Sequence, residues 1–467
     1  MVDKGPASSL FETRSTASAR ATESWFGIGK LTSPRDVGAV VAIVAFMALV
    51  FLGPIMTLSD TAATGDSGNS LRQIGYFLIF ALAIWAADPL RRGWRVLVVP
   101  VPIVVALVWC WLSLTWAVEP GIGFRRLLLT SMVVWTCFII VQGAGYKLTL
   151  GAVRMTLAVS LVVNFAVVFA EPSVGMHTAQ VNNGEAALVG DWRGLMAHKN
   201  FAGALCGLTI ICYAFDARAV NRYLRIGVIL LSALFLLKSG SKTSVGMVVL
   251  AMLIAYGYTH LDKRRRIYLV PLAMIVSALG LMVYSYYADR IAGSVLGPTA
   301  FTGRGMIWTA LVNYIGDHPL LGSGFGSFWN IGDDSPIYQY GKGFVAIVTV
   351  GHNGYLDLSA SVGIPGMVLV VLAMIVWPMI RLLAGRGMRS EVGGLVCALV
   401  AFGLGHNVTE SSMFARDAIV GVFMLLAVAF TDVMALPAGA RGGERRKKRA
   451  AGDELMSTMR RRKRRSA

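Results

Sequence analysis

The hydrophobic residues of this 467-residue chain occur in long blocks that are separated by short polar or charged stretches. Blocks of roughly 17–25 apolar residues match the thickness of a bilayer. Because backbone amides must be hydrogen-bonded inside a membrane, and because the blocks do not alternate in polarity, they predict helices and not barrel strands. The fold class is therefore an all-α polytopic membrane protein with about twelve transmembrane helices. The predicted spans are 37–58, 71–87, 96–117, 127–143, 151–170, 200–215, 224–238, 243–259, 267–287, 366–383, 391–408 and 416–434.

The basic residues predict which side of the membrane each connection occupies. Most of the 43 lysines and arginines lie in the two tails and in every second connection, which places those segments in the cytoplasm. The predicted organisation is a disordered cytoplasmic tail over 1–36, a transmembrane domain over 37–434, and a basic cytoplasmic tail over 435–467. Two long loops, 171–199 and 288–365, then lie on the outer, non-cytoplasmic side of the membrane.

Composition supports a membrane protein, since 56% of the residues are hydrophobic and only 15% are charged. The net charge of +18 could indicate nucleic-acid binding, but much of the excess lies in the C-terminal tail. A tail of this kind fixes topology and contacts anionic lipid headgroups. We therefore expect membrane lipid, and no nucleic acid, as its partner.

The first outer loop ends in "DWRGLMAHKNFAG", which places Arg193, His198 and Lys199 just before a predicted helix near 200–203. Cations at a helix N-terminus suit a phosphate, although they could equally anchor the helix at the headgroup level. The tight outer turn "KSGSKTSVG" adds Lys242, which could face the same surface or simply snorkel beside a helix cap.

The second outer loop contains "FTGRGMIWTALVNYIGDHPLLGSGFGSFWN". Arg304 precedes a predicted helix at 305–316, and an arginine fork can bind pyrophosphate oxygens through two parallel hydrogen bonds. The glycine-rich "LLGSGFGSF" lacks the lysine of a P-loop and follows no strand, so it predicts a turn that requires glycine conformations.

The stretch "GHNGYLDLSASVGIPG" joins this loop to the span that follows it. Proline is favoured in a first helical turn, so the membrane helix is expected to begin near Pro365 and Gly366. Residues 353–362 then form a separate interfacial helix with His352 at its N-terminus. That histidine could act as a base, donate to a phosphate, or serve only as a polar cap. In "HNVTESSMFARD", Glu410 lies at a span end as a weaker candidate base, unless Arg416 merely pairs with it.

These residues together resemble the O-antigen ligase and polymerase superfamily, whose pattern is His-Asn, nine residues, Gly, two residues, Gly. Here those positions are His352, Asn353, Gly363 and Gly366. The flanking "HKNFAG", "SGSKTS", "GRGMIW" and "HPLLGSGFGSFW" are similar to motifs of the branch that includes rhizobial exopolysaccharide polymerases. The resemblance spans roughly residues 190 to 415.

The resemblance implies a membrane-embedded, GT-C-like glycosyltransferase that needs no metal and no cofactor. It also implies a bacterial inner-membrane protein whose two long outer loops and active site face the periplasm. The implied donor and acceptor are oligosaccharides on undecaprenyl pyrophosphate, with chain-length or export proteins as further partners. Polymerase is the leading interpretation, a ligase acting on the lipid A core is the alternative, and a flippase is disfavoured because ionisable groups are scarce within the spans. The candidate catalytic residues are His352, Arg304 and Glu410, and the candidate pyrophosphate ligands are Arg193, His198, Lys199, Lys242, Asn353 and Arg416.

Overall fold

The computed structural model describes residues 25–28, 31, 33–60, 70–88, 90, 98–178, 188–296, 304–385, 388–416 and 418–435. Within these ranges the chain forms helices, turns and two isolated bridges, with no strand, in agreement with the predicted all-α class. The predicted C-terminal tail lies outside the described residues apart from Ala435. Residues 1–24 of the predicted N-terminal tail, and segments 179–187 and 297–303 of the two outer loops, also lie outside them.

The helices of the described chain follow one another with short connections. They are α1 (Pro34–Asp60), α2 (Ser70–Ala87), α3 (Val101–Leu112), α4 (Pro120–Ala144), α5 (Tyr146–Ala170), α6 (Pro172–Gly175), α7 (Lys199–Ala214), α8 (Arg222–Lys238), α9 (Lys242–His260), α10 (Lys263–Leu296), α11 (Arg304–Asp317), α12 (Ile337–Tyr340), α13 (Phe344–Ile347), α14 (Gly354–Val371), α15 (Trp377–Ala384), α16 (Ser390–Thr409) and α17 (Ile419–Ala435).

Seven of the described helices are long and apolar enough to cross a membrane. Every segment predicted as a span lies on a helix in its described part, but the remaining helices are shorter than a typical span. The chain is thus consistent with a multi-pass membrane protein, while the number twelve and the orientation stay predictions. The seven are Pro34–Leu52, Pro120–Ala144, Tyr146–Ala170, Lys242–His260, Lys263–Tyr284, Gly354–Ala384 and Ser390–Thr409.

Helix α16 lies at the centre of the bundle, since 94% of its apolar window is buried, whereas α10 lies at the edge with 11%. Helix α16 packs against α9, α10 and α17. Small residues permit this close approach: a side chain at Gly405 would collide with Met247, and one at Gly403 would collide with Met424. The position of α16 matters because its last turn carries polar side chains to the end of the bundle that we predict to face the periplasm.

Helix α14 consists of two pieces, as the sequence predicts. Val362 and Gly363 leave helical geometry, and Gly363 has a φ of 73°, which a glycine adopts at little cost. A side chain at Gly363 would meet the carbonyl group of Leu320. At Gly366 the helix packs on Trp109, whose indole donates to the Val362 carbonyl at 2.8 Å. The two glycines of the motif therefore create a kink and a close helix contact inside the apolar segment Gly354–Ala384.

The glycine-rich segment of the second outer loop is a turn, as predicted. Gly322, Gly324 and Gly326 all have positive φ, between 64° and 86°. The backbone of this segment is bonded to the kinked helix, because Ser323 donates to the Ala360 carbonyl at 2.9 Å and Ile364 donates to the Pro319 carbonyl at 2.8 Å. The loop is thereby held against α14. The predicted helix at 305–316 is also present, as α11.

Candidate active site

A single carboxylate joins four segments that are far apart in the sequence. The Glu410 side chain, which is only 13% exposed, follows the last residue of α16. Its Oε1 accepts hydrogen bonds from Arg304 Nη2 and from Asn200 Nδ2, both at 2.6 Å. Its Oε2 lies 3.1 Å from His352 Nδ1. The structure therefore brings together all three residues predicted to be catalytic, and adds Asn200 from the first turn of α7.

Backbone contacts hold the His-Asn motif against the end of α16. Asn353 caps α14 by accepting from the amides of Tyr355 and Leu356, both at 3.1 Å, while its own amide group donates to the Val408 carbonyl at 3.1 Å. The amide of Gly354 donates to the Glu410 carbonyl at 3.1 Å. Asn353 thus caps α14 and also bonds it to the end of α16, and these contacts fix the distance between His352 and Glu410.

The charge state of Glu410 follows from its neighbours. Burial by itself raises the pKa of this carboxyl group, but the hydrogen bond with His352 and the charges of His352 and Arg304 outweigh burial and hold the pKa well below its usual range. Glu410 is therefore ionised at neutral pH and is a weak base. Since an ionised carboxylate can only accept, Nδ1 of His352 carries the proton and donates it to Glu410.

His352 is held through one ring nitrogen, and its side chain is partly exposed. The Nδ1–H bond to Glu410 leaves Nε2 as the acceptor nitrogen of the neutral ring, and the side chain is 34% exposed. Its backbone is in the left-handed region, with a φ of 50°. This conformation is uncommon for a side-chain-bearing residue and is a form of local strain that recurs at functional sites.

A second carboxylate, Asp357, holds the turn that precedes His352. It is one turn inside α14 and accepts from the Gly351 amide at 3.1 Å and from the Trp329 indole at 2.9 Å. The hydroxyl of Ser411, the residue after Glu410, also donates to it. Asp357 thus connects the segments that carry His352 and Glu410. Sequence reasoning missed it, although a carboxylate five residues after the motif histidine and next to an apolar run is itself a signal.

The first outer loop places His198 beside this cluster, whereas Lys199 forms an ion pair within the loop itself. His198 caps α7, because its Nδ1 accepts from the Asn200 amide at 3.2 Å, and its ring lies 5.1 Å from that of His177. Lys199 forms a 2.6 Å ion pair with Asp191 of the same loop. The structure therefore brings His198 next to the Glu410 site through Asn200, while the ammonium group of Lys199 is bound within the loop.

The other predicted pyrophosphate ligands, Arg193, Lys242 and Arg416, are not among the observed side-chain partners of Glu410. The Arg193 guanidinium is buried and donates to the carbonyls of Val174 at 2.9 Å and Ala197 at 3.4 Å. Lys242 is the exposed first residue of α9. Arg416 is half-buried, and burial together with the nearby Arg72 and other cations lowers its pKa to about 10. The partners observed for Glu410 are Arg304, His352 and Asn200.

Acidification should reveal the neutral state of His198. Burial lowers the pKa of His198 from 6.5 to about 4, so below pH 6.5 the unfolded chain binds a proton that the folded chain does not. Stability contributed by the neutral ring is therefore lost as the pH falls from 6.5 towards 4. His198→Asn keeps an N-cap acceptor without the titration. We expect its melting temperature in detergent to fall less steeply than the parent's between pH 7 and pH 5, and equal slopes would contradict this assignment.

One ionisable side chain of this region forms no hydrogen bond to any group in the described chain. His406 lies one helical turn before Glu410 on α16 and is 5% exposed, and neither of its ring nitrogens has a hydrogen-bond partner. Sequence reasoning placed it at the end of a span without assigning it a role. A histidine within an apolar span is the signal that could have singled it out. Among the described residues no group of His, Cys, Asp and Glu side chains is arranged to hold a metal ion.

The fold and the site define a multi-pass helical membrane protein with a charged, partly buried cluster at one end of its bundle. Residues 227–371 match the model of the O-antigen ligase family (Wzy_C). The match includes Arg304, His352 and Asn353 and supports the resemblance to the O-antigen ligase and polymerase superfamily. It indicates a glycosyltransferase-like enzyme and fits either polymerase or ligase activity without separating the two. A search of the curated proteins found no match.

Proposed function

We propose that this protein is a polysaccharide polymerase of the bacterial inner membrane, similar to the rhizobial exopolysaccharide polymerases. It transfers a glycan from undecaprenyl pyrophosphate to the non-reducing end of another lipid-linked repeat unit at the periplasmic face. The observation that carries this proposal is the Glu410 cluster, in which an arginine and a histidine from the matched region meet at the end of a membrane helix.

Arg304 is the proposed ligand of the departing pyrophosphate. Glu410 occupies one N–H of its guanidinium group, which carries five, so the side chain is held in place with donors left for phosphate oxygens. A sugar bonded to pyrophosphate already carries a good leaving group. The protein then has to stabilise charge on that group as the bond breaks, which a fixed cation in a partly buried site does effectively.

His352 is the proposed general base. With Nδ1 held by Glu410, the other ring nitrogen, Nε2, can take the proton of the acceptor hydroxyl as that oxygen attacks the sugar. The resulting imidazolium is stabilised by the ionised Glu410, as in other carboxylate–histidine pairs. Of the two bases considered from the sequence, the contacts favour His352, because the low pKa of Glu410 makes its carboxylate a poor proton acceptor.

A ligase is the second candidate, since the matching family model is described as O-antigen ligase. Both enzymes would hold the same donor, and they differ in the acceptor. The deciding experiment incubates the purified protein in detergent with the organism's own lipid-linked repeat as the only substrate. A polymerase yields a ladder of longer lipid-linked chains, and elongation without a membrane barrier also rules out simple flipping. Failure to elongate, with transfer to a lipid A core, would identify a ligase instead.

A further inference from the structure

His406 extends the polar site of α16 into the membrane-spanning part of the bundle. Phe402, His406 and Glu410 follow one another at intervals of four residues, so they lie along one face of the helix. The face is directed at α7, because Glu410 contacts Asn200 at the start of α7 and a side chain at Gly207 of α7 would meet Phe402. His406 therefore faces α7 between these two contacts, one turn, or about 5.4 Å, deeper than Glu410.

The imidazole of His406 is enclosed but not hydrogen-bonded to the protein. Its ring stacks on Phe402 with the centroids 5.5 Å apart. Neither ring nitrogen has a hydrogen-bond partner within the part of the chain that the structure describes. Leaving a buried donor and a buried acceptor unsatisfied is energetically costly. Such a cost is typical of a group that receives a partner only when substrate is bound.

The proposed function supplies a partner of the right chemistry at this depth. A carrier lipid at the outer surface places its sugar towards water and its isoprenoid chain towards the membrane, with two phosphates between them. Arg304 lies at the level of Glu410, and His406 lies one turn nearer the membrane interior. We propose that a ring N–H of His406 binds the lipid-proximal phosphate of the polyprenyl carrier, while Arg304 binds the sugar-proximal phosphate. This inference rests on the proposed function and assigns the inner half of the same site.

The two phosphates can be separated experimentally with carriers that differ in phosphate number. Undecaprenyl monophosphate has only the lipid-proximal phosphate, whereas undecaprenyl pyrophosphate has both. With full-length protein in detergent, His406→Phe should weaken the binding of both carriers by about ten-fold or more, the value of one hydrogen bond to a charged group. Arg304→Ala should weaken the binding of undecaprenyl pyrophosphate. Its affinity for undecaprenyl monophosphate should stay within about two-fold of the parent's.

The melting temperature and two amide variants distinguish phosphate binding by His406 from a purely structural role. Removing an unsatisfied polar group should leave the melting temperature of the carrier-free His406→Phe protein equal to or above the parent's. Variants with an amide side chain should restore carrier binding, because the amide can donate in place of a ring N–H. His406→Gln supplies a donor in place of Nε2, and His406→Asn supplies one in place of Nδ1. His406→Leu supplies the same comparison if phenylalanine is too large. His260→Phe is the matched control. His260 is the last residue of α9, at the end of that helix that lies away from the proposed site, and the variant should bind both carriers as the parent does.

The outcomes separate this inference from the proposed function. If the parent neither binds the carriers nor elongates lipid-linked repeats, the proposed function itself fails. If the parent does both, and His406→Phe binds the two carriers within two-fold of the parent, the assignment of His406 is overturned while the proposed function stands. A loss of binding that neither amide variant restores, accompanied by a lower melting temperature, would likewise overturn it.

Discussion

Glu410→Gln should reduce elongation of lipid-linked repeats by up to about 10⁴-fold, the loss found when a carboxylate that orients a catalytic histidine is replaced by its amide. Glutamine can keep an oxygen where Arg304 and Asn200 both donate to Oε1 at 2.6 Å. Its amide nitrogen then faces the Nδ1–H of His352, so that hydrogen bond is lost. His352 also loses the charge that fixes its tautomer and stabilises its protonated form. The loss should appear in kcat more than in the KM for the donor, because orientation of the base acts on the chemical step.

A matched control exists at the other end of the same helix. Glu391 lies in the first turn of α16 and forms ion pairs with Arg218 and Arg389. Glu391→Gln makes the same chemical change at a site that we predict to face the cytoplasm, and it should leave elongation unchanged. Equal activity of Glu410→Gln and Glu391→Gln in the detergent assay would contradict the role assigned to Glu410.

Arg304→Ala should lower kcat/KM for the donor by roughly 10²–10³-fold, as expected when a fixed donor that stabilises developing charge is removed. Cells that carry this variant should accumulate single lipid-linked repeats instead of polymer. Arg304→Lys should restore only part of the activity, because a lysine ammonium cannot bind two phosphate oxygens in the planar manner of a guanidinium. Leaving Glu410 buried without its cation partner also destabilises the fold, so the melting temperature has to be measured with the activity.

Arg222 provides the comparison for Arg304. Each is the first residue of a helix, but Arg222 is exposed at the end of the bundle that we predict to face the cytoplasm. Arg222→Ala should therefore elongate lipid-linked repeats at the parental rate. Full-length polymer in cells carrying Arg304→Ala, with the variant protein present at parental levels, would refute the assignment of Arg304 to the leaving group.

Local patterns predicted several features of the site because they depend on residues close in sequence. Pro365 and the apolar run after it predicted a break between two helical pieces, and the kink at Val362 and Gly363 confirms that break. The glycine-rich segment predicted a turn, which the positive φ values confirm. Steric freedom of glycine and the hydrophobic period of a helix are local properties, so a sequence alone can reveal them.

Pairings between distant segments could not be predicted in the same way. Glu410 was considered as a partner of Arg416, which is near in sequence, but the structure pairs it with Arg304, 106 residues away. Arg193 was expected at the pyrophosphate, yet its guanidinium donates to backbone carbonyls of its own loop. Which cation meets which carboxylate depends on how α7, α11, α14 and α16 pack, and that information is spread over the whole bundle.

The backbone conformation at His352 determines which mutants can be interpreted simply. At a φ of 50° every residue with a β-carbon pays a conformational cost, and asparagine and glycine tolerate that region best. Alanine at position 352 would remove the imidazole and would also adopt this backbone region less readily than histidine or asparagine, so its loss of activity would combine two causes. Asparagine keeps the bend while removing the proton acceptor, and it is the replacement whose phenotype reports on the ring alone.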